Sequence, residues 1–133
     1  MNAQNLETEN RPVILLVDDE EDLVLMLGDA LSVSIPDHEI MTTSCFDEAQ
    51  FLVHRLKKDQ RQLSLLMVDQ EIGDRSGLEV LHGSRSHFPK CAHLVYTGRA
   101  KQQVVDAAES SGAKVLWKPL QLTHLVKEIR SLL

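Results

Sequence analysis

The sequence predicts an α/β fold of the doubly wound kind, a five-stranded parallel sheet with helices on both faces, and three observations carry that expectation. Short, unbroken apolar runs recur along the chain, as strands buried on both faces require. Between them lie apolar residues at helical spacing, one stripe per segment. The connections from strand to strand are too long for hairpins, so neighbouring strands should run parallel and be joined by right-handed crossovers.

In chain order, VILLV (13–17) is the first strand, and Leu23, Leu27, Ala30 and Leu31 form the apolar stripe of the first helix. EIMTT (39–43) is more polar and suits an edge strand. Ala49, Leu52, Val53 and Leu56 mark the second helix, and LSLLMV (63–68) the third strand. GLEVLHGSRS (77–86) is a weaker helix, spoiled by Gly83. HLVY (93–96) is the fourth strand, and AKQQVVDAAES (100–110) a second weak helix with Gly112 as its C-cap. KVLW (114–117) is the fifth strand; Leu122, Leu125, Val126 and Ile129 give the last helix, over about 121–132. The strand order is expected to be 2-1-3-4-5, the flavodoxin-like arrangement of a (βα)5 three-layer sandwich, with ligands at the carboxyl ends of strands 1 and 3.

At 133 residues the chain is one domain, expected over 12–133 behind a polar, disordered tail of residues 1–11. A net charge of -6 argues against direct binding to nucleic acid or an anionic membrane. The most basic stretch, RLKKDQR (55–61), is interrupted by an acid and reads as a solvated helix end. Cys45 and Cys91 lack paired spacing and fit two inert thiols of a reduced, cytoplasmic protein. No apolar run approaches the roughly 20 residues that span a bilayer. The six histidines have no metal-like spacing and are expected to be scattered on the surface.

The expected topology gathers chemistry at one rim. Strand 1 ends on Asp18 and Asp19, strand 3 on Asp69, strand 4 on Thr97 and strand 5 on Lys118, with Pro119 stopping the last strand. Three carboxylates so close repel one another, and Mg²⁺, a hard cation that takes a few carboxylates and keeps waters, is the natural counter-charge. A lysine and a hydroxyl suit phosphoryl oxygens. Taken singly, each feature has an ordinary explanation: a turn aspartate, acids favoured by the helix dipole, a Lys-Pro stop. Their joint placement at four strand ends points to a phosphoryl group carried on Asp69. Asp69 stands alone before a loop that exposes it, whereas Asp18 and Asp19 suit the metal side.

The order LLVDDEED, LLMVDQEIGDRSG, VYTGRA and LWKPL resembles the receiver domain of bacterial two-component response regulators, chemotaxis-regulator-like, over essentially residues 12–133. The resemblance implies that Asp69 accepts a phosphoryl group from a sensor histidine kinase or phosphotransfer protein. It also implies that Asp19, Asp69 and the backbone carbonyl of Glu71 bind Mg²⁺ directly, with Asp18 acting largely through water, and that Thr97 and Lys118 hold the phosphoryl oxygens. Gly77, eight residues past the acceptor, fits the family. Two positions depart from it. Gly73 stands where proline is usual, so its loop should be less rigid, and Val115 stands at the usual aromatic switch position. Tyr96 and Trp117 are nearby aromatics expected to pack in the core.

The output is expected through the face of the fourth helix, strand 5 and fifth helix, read by a downstream effector protein, an output domain or a second copy in a homodimer. The domain would be a signalling switch whose only chemistry is its own phosphotransfer and autodephosphorylation. A Mg²⁺-dependent phosphohydrolase with Asp69 as nucleophile is a weaker candidate, since Glu71 is the only acid two residues beyond and no substrate cap is evident. A flavin or nucleotide binder lacks a glycine-rich loop after strand 1. No stretch reads as a DNA-binding or catalytic output domain, which leaves open a stand-alone receiver and the receiver portion of a longer regulator. Glu71 and Arg99 are further expected to pair across the mouth of the site and roof it.

Overall fold

Alternation of buried side chains organises the molecule, which a computed structural model describes over residues 11–133. In β1 (Val13–Val17) every residue is buried. Val13, Leu15 and Val17 face one core and Ile14 and Leu16 the other, as a strand covered on both sides requires. Burying one such side chain stabilises the fold by about 1.5–3 kcal/mol, so these two cores rather than local propensity hold the sheet. The remaining strands are β2 (Glu39–Thr43), β3 (Leu63–Asp69), β4 (Ala92–Thr97) and β5 (Lys114–Trp117). All pair in parallel, in the order β2-β1-β3-β4-β5. This is the doubly wound, flavodoxin-like order that the sequence predicts.

Helices α1 (Glu21–Ser34) and α5 (Leu122–Leu132) cover one face through Val24, Leu27, Leu31, Leu125 and Ile129. The opposite face carries α2 (Phe46–Lys58), α3 (Gly77–Arg85) and α4 (Gln102–Ser110), anchored by Ala49, Val53, Leu56, Val80, Leu81 and Ala108. One irregularity adjusts the register: Val13 pairs with Leu63 but Ile14 with Leu65, leaving Ser64 extra. That bulge lets Leu63 and Leu66 face one core and Leu65 and Met67 the other.

Several expectations need correction. After Asp69 the chain makes a two-stranded antiparallel ribbon, Glu71–Ile72 with Arg75–Ser76, too short to leave a periodicity in sequence. Gly83 does not spoil α3, which runs on to Arg85 because Val80, Leu81 and Ser84 are buried against the sheet and Ser76 caps its start, accepting a hydrogen bond from the Leu78 amide at 3.2 Å. Trp117 is not a core residue: it lies on the edge strand β5 and is 48% exposed. His93 is not on the surface but buried in β4.

The expected N-terminal tail falls, apart from Arg11, outside the described residues. Arg11 itself donates to the Pro36 carbonyl at 3.1 Å, and its own carbonyl accepts from Arg61 at 3.1 Å. Arg61 also pairs with Glu39, tying the amino ends of β2 and β3 together. Among the described residues no helix is long and apolar enough to cross a membrane.

Candidate functional site

Because the four central and edge strands β1, β3, β4 and β5 run parallel, their carboxyl ends deliver Asp18, Asp69, Thr97 and Lys118 to one rim. The pairing of β3 with β4 places Asp69 beside Tyr96, and that of β4 with β5 places Thr97 beside Trp117. A cleft of about 220 Å³ opens there, lined among others by Asp19, Glu20, Asp69, Glu71, Thr97, Arg99 and Lys118.

Lys118 is the electrostatic centre. Its Nζ lies 2.9 Å from Asp18 Oδ2 and 3.0 Å from Asp69 Oδ2, and it sits over the Tyr96 ring at 4.7 Å from the centroid. Asp18 is buried, and its other oxygen accepts the Glu20 amide at 2.9 Å. Burial pushes the Asp18 carboxyl up, against the pull of the Glu20 amide and Lys118. For Lys118 burial works downward, but the hydrogen bonds and charges of Asp18 and Asp69 outweigh it and raise its pKa, so the ammonium stays protonated. Burial also raises the Tyr96 phenol.

The other acids are held by backbone. Asp19 is exposed at the rim, and its Oδ2 accepts the Gly73 amide at 3.1 Å; Asp69 Oδ1 takes a longer bond, 3.4 Å, from the Glu71 amide. Thr97 is buried, and its hydroxyl oxygen accepts the Arg99 amide at 3.3 Å. Carboxylate oxygens of Asp18, Asp19 and Asp69 all lie within 4.8 Å of one another. Three carboxylates against one ammonium leave two net negative charges among hard oxygen donors, a set that fits a divalent cation such as Mg²⁺.

The structure therefore brings together all five side chains singled out from the sequence, and Glu71, two residues past Asp69, lines the same cleft. One expected pair is absent. Among the described residues no ion pair or hydrogen bond joins Glu71 to Arg99; both are exposed on the lips of an open cleft, where little holds two long side chains together. Two participants were missed. Tyr96 forms a floor beneath Lys118, and Glu20 leans on the same ammonium, its Oε1 3.6 Å from Nζ. The acid run DDEE carried a signal for Glu20, but not one separable from ordinary helix-start acids.

A family model for the response regulator receiver domain matches residues 14–130, and the chain belongs to that family. Solved structures agree on the fold. A signal receiver domain of a DNA-binding response regulator from Colwellia psychrerythraea 34H is 24% identical, with a TM-score of 0.78 and coverage of 91% of this chain and 97% of that one. A CheY-like receiver domain protein from Methanospirillum hungatei JF-1 is 20% identical, with a TM-score of 0.77 and coverage of 90% and 91%. A response regulator from Burkholderia pseudomallei, solved with a phosphorylated aspartic acid, a calcium ion and citrate, is 23% identical, with a TM-score of 0.73 and coverage of 90% and 71%. Among curated proteins nothing matches the chain.

Proposed function

We propose that this chain is the phosphoacceptor switch of a two-component phosphorelay, with Asp69 taking a phosphoryl group from a sensor histidine kinase or phosphotransfer protein in the cytoplasm. The observation that carries this is the meeting of Asp18, Asp19 and Asp69 within 4.8 Å, with Lys118 bonded to two of them, at the ends of the three strands β1, β3 and β5. The Burkholderia relative with a phosphorylated aspartate supports the chemistry by analogy.

Each residue then has a task. Asp69 is the nucleophile: one of its oxygens forms the bond to phosphorus as the donor's bond breaks. Lys118, already on Asp69, passes from carboxylate to phosphoryl oxygen without leaving the cleft, while Thr97 donates its hydroxyl to another oxygen. Asp18, Asp19, Asp69 and the Glu71 carbonyl would hold Mg²⁺. When bound, the ion neutralises charge building on the transferred group. Buried Asp18, fixed by the Glu20 amide, keeps Lys118 oriented between transfers.

The switch acts on the face of α4, β5 and α5. Thr97 leads straight into the segment before α4, so drawing its side chain toward Asp69 shifts the population of two arrangements there, which an effector, an output domain or a second copy reads. With the branched, half-buried Val115 at the usual aromatic position, this rearrangement is small. The domain turns over no substrate beyond its own phosphoryl group. Asp69→Asn tests the assignment. The folded variant should take no acid-labile label from a kinase or small phosphodonor in Mg²⁺, and undiminished labelling would sink it.

A further inference from the structure

Glu20 occupies the N-cap of α1, a position that favours Ser, Thr, Asp or Asn, yet its side chain makes no capping hydrogen bond. Its backbone is committed elsewhere: the amide donates to Asp18 Oδ1 and the carbonyl accepts from Val24 at 3.0 Å. The carboxylate, 65% exposed, lines the cleft mouth and lies 3.6 Å from Lys118 Nζ. We propose that Glu20 is a positioning residue that competes with incoming phosphoryl groups for Lys118 and so selects against small dianionic phosphodonors. This inference rests on the phosphoacceptor reading of Asp69.

The charge pattern explains the selection. A free acyl phosphate approaching Asp69 brings about two negative charges past Asp19, Glu20 and Glu71, and its oxygens need the ammonium that Glu20 partly holds. A phosphoryl group on a protein imidazole arrives with docking contacts that offset the same repulsion. The step itself is unchanged: an Asp69 oxygen bonds to phosphorus, the bond from phosphorus to the leaving oxygen or nitrogen breaks, and the leaving group keeps the electron pair.

The test uses the full chain with saturating Mg²⁺, labelled by acetyl phosphate and, separately, by the less negatively charged phosphoramidate. For acetyl phosphate, Glu20→Gln should lower the half-saturating concentration about three- to tenfold and leave the maximal rate within about twofold, because only approach and capture change. The gain should shrink for phosphoramidate and at high salt, where such charges are screened. Glu20→Asp, which keeps the charge, should retain at least half of the parent's discrimination between the two donors. If the parent is labelled and Glu20→Gln matches it with both donors, the role of Glu20 is refuted while the phosphoacceptor reading stands. If neither the parent nor Glu20→Gln is labelled by either donor, the phosphoacceptor reading fails, and the role of Glu20 with it.

Discussion

Gly77 sits against the backbone of Asp69 so closely that a Cβ at position 77 would lie 1.9 Å from the Asp69 carbonyl oxygen and 3.0 Å from a methyl of Val68. No side chain fits without moving the end of β3. Since overpacking commonly costs about 1–3 kcal/mol, Gly77→Ala should destabilise the domain by at least that much and displace Asp69 from Lys118. Urea denaturation gives the first quantity, and the rate of labelling, falling by at least tenfold, the second. A variant with unchanged stability and labelling would show that the loop yields freely.

Gly73 has φ 63°, and its amide holds Asp19. Proline is confined to φ near −65° and has no amide hydrogen. Replacing Gly73 by the proline usual in the family should therefore harm this chain, costing about 1–3 kcal/mol and loosening Asp19. Gly73→Asn, which tolerates this backbone, should cost less than about 1 kcal/mol. Thermal unfolding of the two variants decides it, and a Gly73→Pro protein as stable as the parent would show that the loop has another good conformation.

Mg²⁺ should stabilise the native domain by relieving repulsion among Asp18, Asp19 and Asp69. Binding to the folded state alone contributes about 2.7 kcal/mol at a hundredfold excess over Kd. Melting temperature should rise with Mg²⁺ in the parent, and most of that rise should vanish in Asp19→Ala. Equal shifts in both proteins would remove Asp19 from the metal site.

His93 predicts an acid limb in stability. It is buried between β4 and α3, with Nε2 3.1 Å from Ser84 Oγ and Nδ1 3.0 Å from an Arg85 nitrogen. Ser84 donates its hydroxyl to the Leu81 carbonyl, so the ring donates from Nε2 and accepts the Arg85 hydrogen at Nδ1. Burial chiefly, with help from Arg85 and His82, lowers its pKa to about 4. The unfolded chain takes up this proton near pH 6.5 and the native one only near 4, so stability is full above 6.5 and falls as pH drops through that window. The loss approaches about 3 kcal/mol at its acid limit. Denaturation between pH 7 and 4 should show this limb in the parent, and His93→Gln should flatten it.

The legible parts of the molecule were those governed by period and punctuation. All five strands fall within a residue or so of the stretches read from the sequence: burial on both faces marks β1, β3 and β4 by near-continuous apolar runs, while the less buried edges β2 and β5 show only as short β-prone stretches. The rim acids, Thr97 and Lys118 were legible because strand ends and topology together fix their positions. What escaped depends on how neighbouring elements pack in three dimensions. His93 looks like an ordinary polar interruption until Ser84 and Arg85 come to meet it, and Trp117 looks like core until β5 proves to be an edge strand whose end leaves the ring half exposed. Glu20 and Tyr96 gain their roles only from where Lys118 points.

That placement of Lys118 has a consequence for fluctuations. Asp18 and Asp69 end strands flanked by neighbours on both sides, whereas the lysine follows a four-residue edge strand paired only with β4. Amide hydrogens of β1 and β3 should exchange with solvent at close to the global unfolding limit, and those of β5 sooner, through partial opening. Each such opening withdraws the ammonium and leaves the carboxylates facing one another, so the electrostatic balance of the cleft is only as durable as the least protected strand of the sheet.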